Sequence, residues 1–298
     1  MRLLVLSLAL ALGTTSLLLD HTQVAAREDA AAKAQTILAQ ARAALGGDAK
    51  WKTLQSLTIS GKTRRIMGQM DMSGDLQFDI LLPDKVMKSE ILSPMAGIEI
   101  TNTEVLNGNE VWNDQNSGGG HGGMVVMRSG GPADTPEARE RANQMRRAEI
   151  TRMMIGTLLQ APAVSAVTFS YAGEAEAPDG KADMLEVKGA NNFTARFFVD
   201  QKSHRPLMLT YQGRKPRVVT STMGGPPNEA EMEKIRKEAE AQAPVEFQMR
   251  FSDYRDEGGI SFPHHIVKSI GDEVNEEWTL TKFKLNSTFK ADKFEKKK

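Results

Sequence analysis

His264 and His265 stand side by side and are the first residues in the chain that invite a metal. They lie in an alternating stretch that reads as a strand. Adjacent strand residues face opposite ways, so the two cannot grip one ion together, and one of them is left to face the interior. His121 sits among glycines, in Gly118-Gly119-Gly120-His121-Gly122-Gly123, and reads as a solvated loop side chain. No H-E-x-x-H spacing occurs. Methionine is plentiful, at 16 residues. Met67, Met70 and Met72 form one cluster, and Met124 and Met127 form a second with His121. Thioethers suit Cu(I), which makes a Met-rich copper-binding protein one reading. Met70 and Met72 share a strand face, while Met67 faces away unless the strand bulges. Methionine equally lines adaptable apolar cavities.

The glycine-rich stretch 116–131 is no phosphate cradle. It lacks the Lys and Ser/Thr that close a P-loop, and it lacks the strand–helix setting of a dinucleotide site. It reads as a flexible rim. Ser, His and Asp are scattered with no G-x-S-x-G elbow, and no carboxylate pair has a motif around it. The chemistry-bearing residues therefore point to a protein that is not an enzyme and carries no cofactor. The terminal Lys296-Lys297-Lys298 reads as a solvated tail.

The bulk composition narrows the class further. Lysine plus arginine and aspartate plus glutamate are both 38, so the formal net charge is zero. A general nucleic-acid binder needs a basic surplus to displace counterions, so no nucleic-acid partner is expected. Hydrophobic residues make up 40% of the 298, enough for a core, and there is no cysteine. A disulfide framework and a thiolate metal site are therefore both excluded.

The N-terminus reads as a targeting segment. Met1-Arg2 is a short basic start, an apolar run extends from Leu3 to Leu19, and Val24-Ala25-Ala26 offers small residues for a signal peptidase. Residues 1–26 are read as a signal peptide cleaved after Ala26. The alternative, a retained anchor, would have to cross a ~30 Å hydrocarbon core with a marginal span. Export without cysteine suits the bacterial periplasm. Residues 27–298 then read as a single domain.

Within that domain, Ala30, Ala34, Ile37, Leu38, Ala41 and Leu45 make one apolar stripe, predicting a helix from Glu28 that Gly46-Gly47 ends. A short helical turn over Asp48 to Leu54 packs Trp51 inward. Strands follow from Leu57, broken by turn signals at Ser73-Gly74-Asp75, Pro83-Asp84 and Asn107-Gly108-Asn109. Thr135 as N-cap, with Pro136 at the first position, opens a helix. Its first half is charged, and its second half, from Ile150 to Leu159, is apolar and docks on the sheet. Strands resume from Val167 to Tyr211. An inserted helix at 229–242, with a thin apolar stripe, reads as a surface helix or movable cover. Phe247, Met249 and Phe251 then alternate with polar neighbours. With turns at Gly258-Gly259 and Gly271-Asp272, Glu246 to Leu285 reads as a three-stranded antiparallel meander.

Three stretches carry a family resemblance. Ala41-Arg42-Ala43-Ala44-Leu45-Gly46-Gly47, followed by Trp51, Leu54, Leu57 and Ile59-Ser60-Gly61, resembles the start of exported LolA/LolB/LppX-like bacterial proteins. Phe197 to Leu207, with its Asp200-centred turn, resembles their strand–turn–strand hairpin, and Phe251 to Pro263 resembles their last hairpin. The resemblance implies a mainly β (α+β) fold: a strongly curved antiparallel sheet, an incomplete β-barrel, with helices covering its open side. It further implies a periplasmic carrier that holds lipid or lipoprotein acyl chains in an apolar cavity, with a membrane-protein donor or acceptor among its partners. The candidate cavity residues are Phe247, Met249, Phe251, Phe262, Trp278 and Leu280 on the last strands, joined by Phe78, Trp112, Phe197, Leu209 and Tyr211. The same residues serve equally as ordinary core. In that case the protein is a non-catalytic envelope scaffold with a packed interior.

Overall fold

The computed structural model describes residues 15–68, 70–95, 98–118, 135–177, 180–215, 237 and 241–296. Most of the glycine-rich stretch, with His121, Met124 and Met127, lies outside the described residues. So do most of the inserted helix at 229–242 and Lys297-Lys298.

Twelve strands form one sheet. They are β1 (Ser56–Met67), β2 (Met70–Leu81), β3 (Lys85–Met95), β4 (Ile98–Asn107), β5 (Glu110–Gly118), β6 (Thr168–Ala177), β7 (Gly180–Lys188), β8 (Thr194–Asp200), β9 (Pro206–Gly213), β10 (Val245–Glu257), β11 (Ile260–Ile270) and β12 (Glu273–Leu285). Every neighbouring pair is antiparallel, and the order is β5-β4-β3-β2-β1-β12-β11-β10-β9-β8-β7-β6. The chain thus makes two meanders joined where β1 pairs with β12. β5 and β6 stay at opposite edges, so the sheet does not close into a barrel.

Among the described residues, the α-helices α1 (Thr15–Ala44), α2 (Asp48–Thr53) and α3 (Pro136–Leu158) accompany the sheet. α1 begins before the expected Glu28. Its stripe of Ala34, Ile37, Leu38 and Ala41, with Leu45 just beyond, is buried as the spacing requires. α3 starts as expected, with Thr135 Oγ1 accepting from the Ala138 N–H at 3.2 Å and Pro136 in the first turn. Its buried residues all fall between Ile150 and Leu158. Leu159, in the left-handed conformation, ends it ahead of Pro162. Both long helices join the same apolar cluster as the strands, α1 lying against β6 and α3 against β4, β5 and β9. No helix among the described residues is long and apolar enough to cross a membrane.

The last meander forms as its alternation predicts. The first hairpin does not. Ser73-Gly74-Asp75, expected to be a turn, lies inside β2 and pairs on both sides, with Thr63↔Gly74 and Gly74↔Leu92. The glycine is needed for a close crossing instead: a Cβ there would sit 1.7 Å from the Ile91 carbonyl oxygen. The chain turns at Gly68, with φ 61°. The turn at Asn107-Gly108-Asn109 forms as expected between β4 and β5, and β5 runs on through Asn116 to Gly118, the first residues of the glycine-rich stretch.

Candidate functional site

Cross-strand partners share a face, so the register sorts the candidates. Phe197↔Leu209, Leu209↔Met249, Met249↔Lys268, Lys268↔Glu276 and Glu276↔Arg65 form one row across the sheet. Phe251↔Ile266, Ile266↔Trp278, Trp278↔Thr63 and Thr63↔Gly74 form the next. This is the concave face on which α1 and α3 sit. Phe78, Tyr211, Phe247, Phe262 and Leu280 lie on it as well. Trp112 does not. Ile80↔Val86, Val86↔Leu106 and Leu106↔Val111 trace the concave face, and Trp112, one residue on and opposite Val105, belongs to the convex side. There the C-terminal segment crosses the sheet, with Lys293 Nζ 2.9 Å from Asp79 Oδ2 and Phe294 buried.

The remaining candidates pack closely together. Phe78, Phe197, Leu209, Met249, Phe251, Phe262, Trp278 and Leu280 are all buried in the common core cluster. Phe78 tilts against Trp278 at 5.1 Å between ring centroids, and the half-buried Tyr211 and Phe247 stack at 5.0 Å. α3 seats directly on this layer. A Cβ at Gly156 would fall 1.9 Å from Phe251 Cζ, so only glycine allows that approach.

Beside the aromatic layer lies a chain of charges that no sequence pattern announces, with Lys88, Glu90, Lys268 and Glu276 buried and Arg65, Glu149 and Arg152 partly buried. Arg152 Nη1 on α3 is 3.7 Å from Glu149 Oε2, and Glu149 bonds Lys268 of β11. Lys268 Nζ is 3.4 Å from Glu276 Oε2, Glu276 Oε1 is 3.2 Å from Arg65 Nη2, and Arg65 Nη2 is 2.8 Å from Glu90 Oε2. Lys88 Nζ joins at 3.1 Å from Glu90. Trp278 underlies the chain: its Nε1–H donates to Glu276 Oε1 at 2.6 Å, and the Lys268 and Lys88 ammoniums stand 4.1 and 5.2 Å from its ring centroid. Arg152 covers the Tyr211 ring at 3.5 Å.

Glu276, Glu149 and Lys268 are each held ionised by their neighbours. Burial alone would raise the Glu276 carboxyl, but Arg65, Lys268 and Lys88 outweigh it and hold it well below the usual glutamate range. Burial likewise opposes ionisation of Glu149, and Lys268 and Arg152 overcome it, so Glu149 is also lowered. Lys268 is raised, because Glu149 and Glu276 outweigh the cost of its burial. Burial and the Glu149 charge push Tyr211 up.

The histidines separate as expected. His265 is on the convex side, its Nε2 2.7 Å from Glu277 Oε1 and its Nδ1 3.2 Å from Ser252 Oγ. His264 is on the concave side, buried against Phe283, with its Nε2 3.2 Å from Glu257. Among the described residues no group of three or more His, Cys, Asp or Glu could hold a metal ion. Met67 pairs with Met70 across the first hairpin, and Met72, opposite Arg65, is buried.

No family model and no curated protein matches the chain. Among solved structures, it is similar to a LolA superfamily protein from Nitrosomonas europaea, with 11% identity over 88% of this chain and 97% of that one at a TM-score of 0.45. It is similar to a domain assigned provisionally to outer-membrane lipoprotein sorting from Vibrio parahaemolyticus, with 11% identity, coverage of 89% and 97%, and a TM-score of 0.46. A DUF1329 family protein from Desulfovibrio piger gives 10% identity, 88% and 97%, and 0.46.

Proposed function

We propose that this protein is a non-enzymatic carrier of the bacterial periplasm. Released by cleavage after Ala26, it holds an acyl chain of a lipid or lipoprotein against the concave face, beneath α3. A membrane protein would act as donor or acceptor. The observation that carries this reading is the way the concave face is closed. Its aromatic and aliphatic side chains are covered by α3, a helix that contributes no strand pairing and docks through only one half of its length. Such a cover can lift without breaking a backbone hydrogen bond of the sheet. The exposed apolar face would then be available to an acyl chain, each buried CH₂ contributing about 0.8 kcal/mol. Phe197, Leu209, Met249, Phe251 and Trp278 would line that space, and Trp112 would not. Extraction and mass spectrometry of lipids from the native protein, together with binding of a fluorescent acyl probe, test the reading. A blank extraction with no probe binding refutes it.

One observation favours a second reading, a scaffold with a packed interior. Phe197, Leu209 and Trp278 are 0%, 0% and 1% exposed, so in this state the face is fully occupied by the protein's own side chains. A core that never opens would bind no acyl probe even at saturating concentration.

A further inference from the structure

The charge chain is asymmetric in its unmet needs: several of its buried donors have no partner. Its cations Arg152, Lys268, Arg65 and Lys88 face the carboxylates Glu149, Glu276 and Glu90, with Glu104 opposite Lys88 in the register. Arg65 Nε and Arg152 Nε are buried without a hydrogen-bond partner, and both atoms can only donate. The hydroxyl of Thr63, which is 1% exposed and stands beside Trp278 in the register, is also unpartnered. Buried donors left unmet are costly, and an anion with several acceptor oxygens is what would meet them. Glu149 differs from the other two carboxylates. Glu90 and Glu276 are fixed on strands, whereas Glu149 reaches Lys268 from α3, the element that covers the apolar face.

We propose that this chain is the headgroup site for an anionic amphiphile, and that the Glu149 carboxylate occupies at Lys268 the place of the ligand's carboxylate or phosphate. The proposal rests on the carrier reading and names its ligand class. A long-chain anion would lay its apolar tail on the aromatic layer. Its headgroup would take Lys268 and the unmet Arg65 and Thr63 donors. Glu149 would be released, and α3 with it, so headgroup recognition and uncovering of the face become one event. No bond is made or broken covalently.

The test is titration of the purified exported protein with dodecanoate, dodecyl phosphate, dodecanol and inorganic phosphate, in wild type, Glu149→Gln and Lys268→Gln, each checked for folding by thermal melt. The expected result is that both anionic amphiphiles bind about tenfold or more tightly than the alcohol. Glu149→Gln should tighten the anions by a larger factor than the alcohol, and Lys268→Gln should erase the preference. The ranking of dodecanoate against dodecyl phosphate tells which headgroup is taken. Equal binding of alcohol and anions overturns the headgroup site and leaves the carrier reading standing. Inorganic phosphate binding as tightly as dodecyl phosphate overturns the amphiphile assignment. Binding of none overturns both. If Lys268→Gln does not fold, the wild-type ranking and Glu149→Gln decide alone.

Discussion

Lys268 of β11 and Glu149 of α3 bond directly, tying the sheet to the helix that covers it. The pair is mostly withdrawn from water, and Lys268 also serves Glu276. Removing one partner of a buried pair leaves the other uncompensated. Lys268→Met is therefore expected to cost about 3–5 kcal/mol in urea unfolding. Glu149→Met together with Lys268→Met should cost less than the sum of the two single changes.

Stability should also depend on pH in a defined direction. Glu149 and Glu276 have folded-state values below the ordinary 4.5, so they take up protons on unfolding as pH falls. Their contribution is present above pH 4.5 and is lost as pH falls through their folded values. Lys268 is raised above 10.5, so its contribution is full below 10.5 and is lost as pH rises through its folded value. Unfolding midpoints measured across pH should show a plateau between these limits, and Glu149→Gln should flatten the acid limb.

Trp278 supports both layers of the interior. Trp278→Ala is expected to cost about 3–5 kcal/mol, as for other buried large-to-small changes. Trp278→Phe keeps most of the packing and removes the 2.6 Å bond to Glu276, for a loss of about 1–3 kcal/mol. Chemical denaturation of the two variants separates packing from hydrogen bonding.

Gly156 offers a probe of how α3 docks. Alanine is the better helix former by up to about 1 kcal/mol. The new methyl group would collide with the buried Phe251 ring, and overpacking of that kind costs about 1–3 kcal/mol. Gly156→Ala should therefore lower the melting temperature, and it should speed hydrogen exchange in α3 more than in β10 and β11. Unchanged exchange in α3 would show that the helix does not rest on Phe251.

Much of this architecture is legible in the residues themselves. The alternation of Phe247, Met249 and Phe251, the turns at Gly258-Gly259 and Gly271-Asp272 and the Thr135-Pro136 cap each act locally, and each forms as its chemistry dictates. Gly74 was misleading because its role is a contact with Ile91 from another strand, which no local signal reports. Trp112 lies on the other face for a similar reason, since an aromatic residue on a strand suits either side, and only the register with Val105 decides which. The charge chain is the feature least legible in the sequence. Lys88 and Glu90 alternate on β3 like solvent-facing residues, and only the pairing of β1 with β12 brings Glu276 to them and to Arg65. A buried ion pair leaves no periodic trace, because its partners are set by topology.

The measurement that bears most directly on the central claim is mass spectrometry of lipids extracted from the protein purified out of its own host. The carrier account predicts a stoichiometric acyl-chain species, and the headgroup site predicts that it is anionic. A clean blank, with no acyl probe displacing α3, would contradict the account and leave the packed scaffold in its place.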